Sequence, residues 1–245
     1  MHRSLFSRHS MRPSPQKLLA QAETDAFLVT DLTNIRYLTG FALSSGVLLI
    51  LPRRIVLYTD DRYREAATMQ VLPGVSVRDH GVLEDTLAEI SVCGFEAESV
   101  TVERKARWKR QFPHTKFVQA VNVVQRFRRQ KSPEELLLMR RAKRVTEELL
   151  RRVPAALRKG VTERELAQKL LLWALELGAE GLAFEPIVAF GTHTSRPHHA
   201  PTLRALRKGH IVQIDVGARV RGYCADASEV FFTSPLSREQ ERIYR

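Results

Sequence analysis

Short apolar runs, each bounded by turn residues, alternate with stretches of helical period through the first half of the chain. FLVTD (27–31), GVLLIL (46–51) and RIVLYT (54–59) predict strands, with Pro52-Arg53 as a tight turn between the last two. Residues 61–70 predict a helix, 75–79 a strand and 82–91 a second helix. Residues 94–98, 102–112 and 115–120 predict strand, helix and strand. This alternation implies an α/β domain over 15–122 with helices laid on a sheet.

Residues 123–132 are polar and charged and predict a linker. A helix then starts at Ser132-Pro133-Glu134-Glu135, where an N-cap serine, a proline at the first position and a glutamate at the third make a capping box. Leu136, Met139 and Ala142 mark its expected apolar stripe. A second capping box, Thr162 to Glu165, opens a helix through Leu177 that Gly178 ends, with a loop at 154–161 between the two helices. The period then shortens to that of strands: FEPIVAFG (184–191), IVQIDVG (211–217) and YCADASEVFF (223–232) predict strands, the last two joined by a turn at Arg221-Gly222. Residues 192–202 predict a polar, histidine-bearing loop. The second domain is expected over 133–245, and residues 1–14 are expected to be a disordered tail.

Composition narrows the class. Apolar residues are 44% and charged residues 27% of 245, ordinary for a globular protein. No apolar run approaches the ~18 residues of a spanning helix. The basic, acid-free amino terminus (Arg3, Arg8, Arg12, Lys17) lacks the apolar core of a secretory signal and is expected to be a tail rather than a targeting segment. Cys93 and Cys224 are isolated from each other, which argues against a zinc motif or a disulfide framework and for a reducing, cytoplasmic compartment. The net charge of +12 is concentrated: residues 104–144 hold 14 Lys and Arg against two acids. With no nucleic-acid motif beside it, that block is expected to be a solvated face rather than a nucleic-acid surface.

The candidate chemistry lies in the last strands. Asp215 interrupts the apolar run 211–216, where a carboxylate needs a cation or hydrogen-bond donors. In a hairpin around 221–222, positions summing to about 441–443 face each other, so Asp215 and Asp226 are expected opposite or one step apart on one face, with Cβ atoms roughly 5 Å apart. Two carboxylates that close repel unless a proton or metal lies between them, and hard divalent ions fit. By spacing alone, two surface aspartates flanking a hairpin are the plainer reading. Pro197-His198-His199 lies in the loop just upstream. A histidine there can polarise a substrate oxygen or remain an ordinary loop residue.

FEPIVAFGTHTSRPHHAPT (184–202) and LRKGHIVQIDVGARVRGYCADAS (206–228) resemble the core of the aminopeptidase P, prolidase and creatinase family. NIRYLTGF (34–41) and the helix start KSPEE (131–135) resemble it too, so the likeness covers nearly all of 25–245. It implies a creatinase-type amino-terminal α/β domain followed by the first half of a pita-bread metallopeptidase domain. It implies that Asp215 and Asp226 are ligands of a dinuclear site for two divalent ions (manganese foremost, cobalt or zinc otherwise), with Asp226 bridging. His198 would stabilise the substrate and the tetrahedral intermediate. The activity implied is hydrolysis of an amino-terminal Xaa-Pro bond, the partner a peptide with proline second, and the assembly a homodimer.

Three further ligands of the family's site, a histidine and two glutamates, belong to later segments. The expectation is therefore that the chain stops before its site is complete and is inactive alone. Two local departures are Ser228-Glu229 where the family has Thr-Arg, and His210 where it has Asp. They leave open an alternative in which the chain is a non-catalytic, peptidase-like binding module.

Overall fold

A computed structural model describes residues 12–244. The expected tail falls largely on residues 1–11, outside the described residues. Contacts divide the chain into two compact units, one ending at Ser132 and one beginning at Pro133.

The first unit runs α1 (Pro15–Ala22), β1 (Ala26–Val29), α2 (Leu32–Thr39), β2 (Val47–Leu51), β3 (Arg54–Thr59), α3 (Asp61–Gln70), β4 (Val75–Asp79), α4 (Leu83–Ala88), β5 (Val92–Glu96), α5 (Val102–Gln111), β6 (Lys116–Ala120) and α6 (Val123–Arg129). Its sheet has the order β4-β3-β2-β1-β5-β6. The hairpin strand β2 is antiparallel to β1 and β3, while β3–β4 and β1–β5–β6 pair in parallel. Helices cover both faces, which is why β1 and β2 read as unbroken apolar runs. Alternation splits them: Phe27, Val29, Leu48 and Ile50 join Leu18, Ile35 and Val124 in one core, and Ala26, Leu28, Val47 and Leu49 join Leu87 and Trp108 in the other.

The expected linker at 123–132 is a helix for most of its length. Arg126 and Arg129 are exposed, Arg128 is half-buried and donates to Asn34 Oδ1 (2.8 Å), and Val123 and Val124 are buried in the core against α1 and α2. Two adjacent valines among arginines are too short a pattern to show a helix by period, and burial alone reveals it.

The second unit runs α7 (Pro133–Ala156), α8 (Glu163–Glu176), β7 (Gly181–Leu182), β8 (Ile187–Phe190), β9 (Ile211–Val216), β10 (Ala218–Val220), β11 (Tyr223–Cys224), β12 (Ala227–Phe232) and α9 (Arg238–Tyr244). The helix starts as predicted at Pro133, but its buried stripe is Leu138, Ala142, Val145 and Leu149, and Leu136 is exposed. Three consecutive leucines allow several phases, and the residues a turn further on select one. The helix also passes Pro154 to reach Ala156. A proline this close to the end removes one backbone hydrogen bond, and buried Val153 and Ala156 hold the last turn in the core.

The second capping box forms as predicted. Glu165 N–H donates to Thr162 Oγ1 (3.2 Å), and Thr162 N–H donates to the Glu165 carboxylate (2.8 Å). Helices α7 and α8 cover one face of the sheet β12-β9-β8 through Val188, Phe190, Val212, Ile214 and Val216. No helix among the described residues is long and apolar enough to cross a membrane.

Candidate metal centre and histidine loop

The predicted hairpin forms and then changes sheets. Val220 and Tyr223 pair across Arg221 and Gly222, both at positive φ (49° and 75°), as a two-residue turn requires. β10 pairs with β11 on one side and β7 on the other, whereas β9 pairs with β12 and β8. The ribbon breaks at Gly217 on one strand and Ala225-Asp226 on the other. A Cβ at Gly217 would lie 2.0 Å from the carbonyl oxygen of Ala225, so only glycine lets the two backbones pass there.

The turn and this break together set the aspartates. The register sums to 443: Ser228 faces Asp215 and Ala227 faces Val216. Asp226 therefore lies diagonal to Asp215 rather than opposite it, on the same face and just outside the strand. Its carboxyl is held above the ordinary carboxylate range, first by partial desolvation, then by the charge of Asp215 and a hydrogen bond shared with it. Asp215 Oδ1 is buried and has no hydrogen-bond partner among the described residues. An orphaned carboxylate oxygen costs on the order of 1–3 kcal/mol. A divalent cation is the group that would satisfy it and remove the repulsion, so the residues present fit the metal that the sequence implies.

Ser228 shares the aspartates' face. Glu229, opposite Ile214, points to the other side of the sheet and is exposed there. The charge that stood against a metal site therefore does not face it.

His210, the other departure, closes the turn before β9. Arg207 N–H donates to its Nδ1 (3.2 Å), and burial, followed by the nearby Arg204 and Arg207, lowers the imidazole's pKa. A neutral ring nitrogen accepts here as a carboxylate oxygen would.

His198 lies exposed in the loop after β8, and among the described residues no hydrogen bond joins it to either aspartate. Its neighbour His199 is buried, 6% exposed, and belongs to a network that the sequence did not reveal. Glu163, the first residue of α8 and fully buried, accepts on Oε1 from Phe190 N–H (2.9 Å) and His193 Nδ1 (2.8 Å). It accepts on Oε2 from His199 Nε2 (2.9 Å), Thr202 N–H (3.0 Å) and Thr202 Oγ1 (2.6 Å). Burial works to raise its pKa, but the hydrogen bonds from Thr202, His199 and Phe190 outweigh it and bring it to about 2. The carboxylate is thus ionised at neutral pH, and both imidazoles must present N–H to it. Glu163, His193 and His199 bring three potential ligand atoms within 4.8 Å. Five donors on two oxygens leave no free lone pair for an ion, so this cluster is an acceptor hub and the orphaned Asp215 is the better ligand.

Two more motif residues have structural partners. Tyr223 donates its hydroxyl to Glu135 on α7 (2.9 Å), and Thr146 Oγ1 accepts from Ala218 N–H (2.9 Å), pinning the sheet-crossing strand to the same helix.

A mixed α/β unit followed by a helix-backed sheet that bears paired carboxylates at a strand break defines the class of the two-domain metallopeptidases. Residues 137–245 match metallopeptidase family M24 and residues 14–130 match the creatinase/prolidase N-terminal domain, and the chain belongs to this family. An uncharacterized peptidase of Bacillus subtilis, YqhT, is 29% identical over 94% of this chain and 67% of its own length. A Xaa-Pro dipeptidase from Bacillus anthracis superposes with a TM-score of 0.88 at 25% identity, over 94% of this chain and 67% of that one. An X-Pro aminopeptidase from Thermotoga maritima does so with a TM-score of 0.84 at 27% identity, over 93% and 68%. The chain thus spans about two thirds of the length of these relatives.

Proposed function

We propose that this chain provides part of the active site of a metal-dependent peptidase that cleaves the bond between an amino-terminal residue and a following proline. The observation that carries this reading is the buried, unpartnered Oδ1 of Asp215 beside Asp226. Similarity to structures described as Xaa-Pro peptidases supports the substrate class.

In this reading Asp215 and Asp226 would hold two divalent ions, manganese foremost. Bound there, the ions supply a water activated for attack at neutral pH. His198, presented from its loop, donates a hydrogen bond to the oxygen of the scissile carbonyl as charge develops on it. The face bearing both aspartates is kept free of other charge by Ser228, while the opposite face packs on α7 and α8. Two carboxylates by themselves would bind metal weakly, and the histidine and two glutamates that the family resemblance implies would complete the site.

The reading extends to a homodimer, which a monomeric sedimentation mass would remove, and to a reducing cytoplasmic compartment. Buried Cys93 and exposed Cys224, both free, support the compartment. The deciding experiment is Mn2+ calorimetry, with hydrolysis of a Xaa-Pro peptide, on the protein isolated from its source cells. Metal uptake with proline-dependent hydrolysis is expected. No heat and no hydrolysis would leave a peptidase-like binding module as the function.

A further inference from the structure

Resting on the reading of His198 as the group that meets substrate, we propose that Glu163 is the positioning residue of its loop, anchoring both ends of residues 191–202 on the first turn of α8.

The bonds to the two carboxylate oxygens divide along the chain. Oε1 takes the entry to the loop, Phe190 and His193, and Oε2 takes its exit, His199 and Thr202. Backbone contacts reinforce the exit: Glu163 N–H donates to Arg204 O (3.1 Å) and Arg164 N–H to Thr202 O (3.0 Å). Within the loop most bonds are short in range, Thr194 Oγ1 to Gly191 O, Ser195 Oγ to Thr192 O and Arg196 N–H to His193 O, and one longer bond, Arg204 Nη1 to Thr192 Oγ1 (3.1 Å), adds to the tie between entry and exit. Among the described residues His198 has no such tether.

Its placement is fixed by its neighbour. The His199 ring is buried, bonded to Glu163 and packed against the His193 ring with centroids 4.4 Å apart. The Cα atoms of 198 and 199 are about 3.8 Å apart across a trans peptide, so immobilising one confines the other. The amino terminus of a 14-residue helix favours an anion at this place. Misplacing a catalytic group by ~1 Å can cost on the order of 100-fold in rate, which makes a rigid loop of direct use to the chemistry.

The test is site-resolved amide exchange, with histidine-ring NMR, on the full chain and on Glu163→Gln and Thr202→Val. In the parent, the His193 Nδ1–H and His199 Nε2–H signals should be resolved and slow to exchange. Glu163→Gln should abolish both and accelerate exchange at His193 to His199 about tenfold or more, as loss of charge-assisted hydrogen bonds implies. Thr202→Val, which removes one donor at nearly constant volume, should accelerate the same amides roughly threefold, as loss of a single hydrogen bond implies. Exchange at His193 to His199 should accelerate at least about fivefold more than exchange in β9 and in the last turns of α8, since neither of those contacts the carboxylate.

Unchanged loop exchange, or equal acceleration throughout the second unit, would overturn the assignment. If Glu163→Gln does not fold, Thr202→Val decides alone by the same criteria. His198→Ala separately tests the function of the loop. Should Xaa-Pro hydrolysis survive that change while the exchange pattern holds, the anchoring by Glu163 stands and the catalytic reading of His198 falls.

Discussion

Glu163 and Asp215 are both acids set among apolar residues of the second unit, yet their surroundings differ in kind. Glu163 has a donor for every lone pair, and its pKa falls to about 2. Asp215 has an oxygen with none among the described residues, and the acid beside it, Asp226, is pushed up. A closed carboxylate stabilises the fold. An open one stores a cost that a cation can remove. The difference separates a structural hub from a ligand site by hydrogen-bond accounting alone, without any ion in view.

The sharpest way to break the comparison is to delete each acid in turn. Glu163→Ala should destabilise the second unit by about 4 kcal/mol, because it leaves two imidazoles and two backbone N–H groups buried without their acceptor. Denaturant unfolding would measure it, and a loss below about 1 kcal/mol would show the hub to be dispensable.

Acid probes the same contrast. Glu163 titrates at an ordinary 4.5 when unfolded and about 2 when folded. Its contribution is therefore present above about pH 4.5 and is lost as pH falls from there toward 2, a loss of about 3 kcal/mol. Glu96 in the first unit supplies the opposite sign. It accepts from Thr30 N–H, Asp31 N–H and Asn34 Nδ2, yet burial dominates and raises its pKa. Its stabilising contribution is greatest in acid and is lost as pH rises through its folded pKa. Amide exchange followed with pH should show the second unit loosening first on acidification, and the reverse order would contradict the assignment of both hubs.

Asp215→Asn and Asp226→Asn should leave metal-free stability within about 1 kcal/mol, since each removes a repulsion. Both should abolish the rise in stability that Mn2+ gives the parent, about 2.7 kcal/mol at a hundredfold excess over the dissociation constant. A melting temperature that still rises with Mn2+ in both variants would place the metal elsewhere. Glu229→Ala should have the smallest effect, within about 0.5 kcal/mol in stability and without influence on metal affinity. A clear change in affinity would show that Glu229 reaches the carboxylate face after all.

The sequence by itself determined the α/β first unit, the helix starts at Pro133 and Glu163, the turn at Arg221-Gly222 and the nearness of Asp215 to Asp226. These features are local: capping boxes, turn residues and period-two runs impose their geometry within a few residues. Tertiary structure decided the rest. Val123 and Val124 became a helix only because a core was there to bury them. The two-residue turn at Arg221-Gly222 holds the register at 443 in both halves of the ribbon, and the crossing between sheets at Gly217, where backbone passes backbone, decided that Asp226 lies outside the ladder. Nothing in the sequence marks out Glu163, because its five donors come from positions 27 to 39 residues away. Contacts at such separations leave no period or motif in the chain, because the groups that satisfy a buried charge are chosen by where the fold brings them and not by their spacing in sequence.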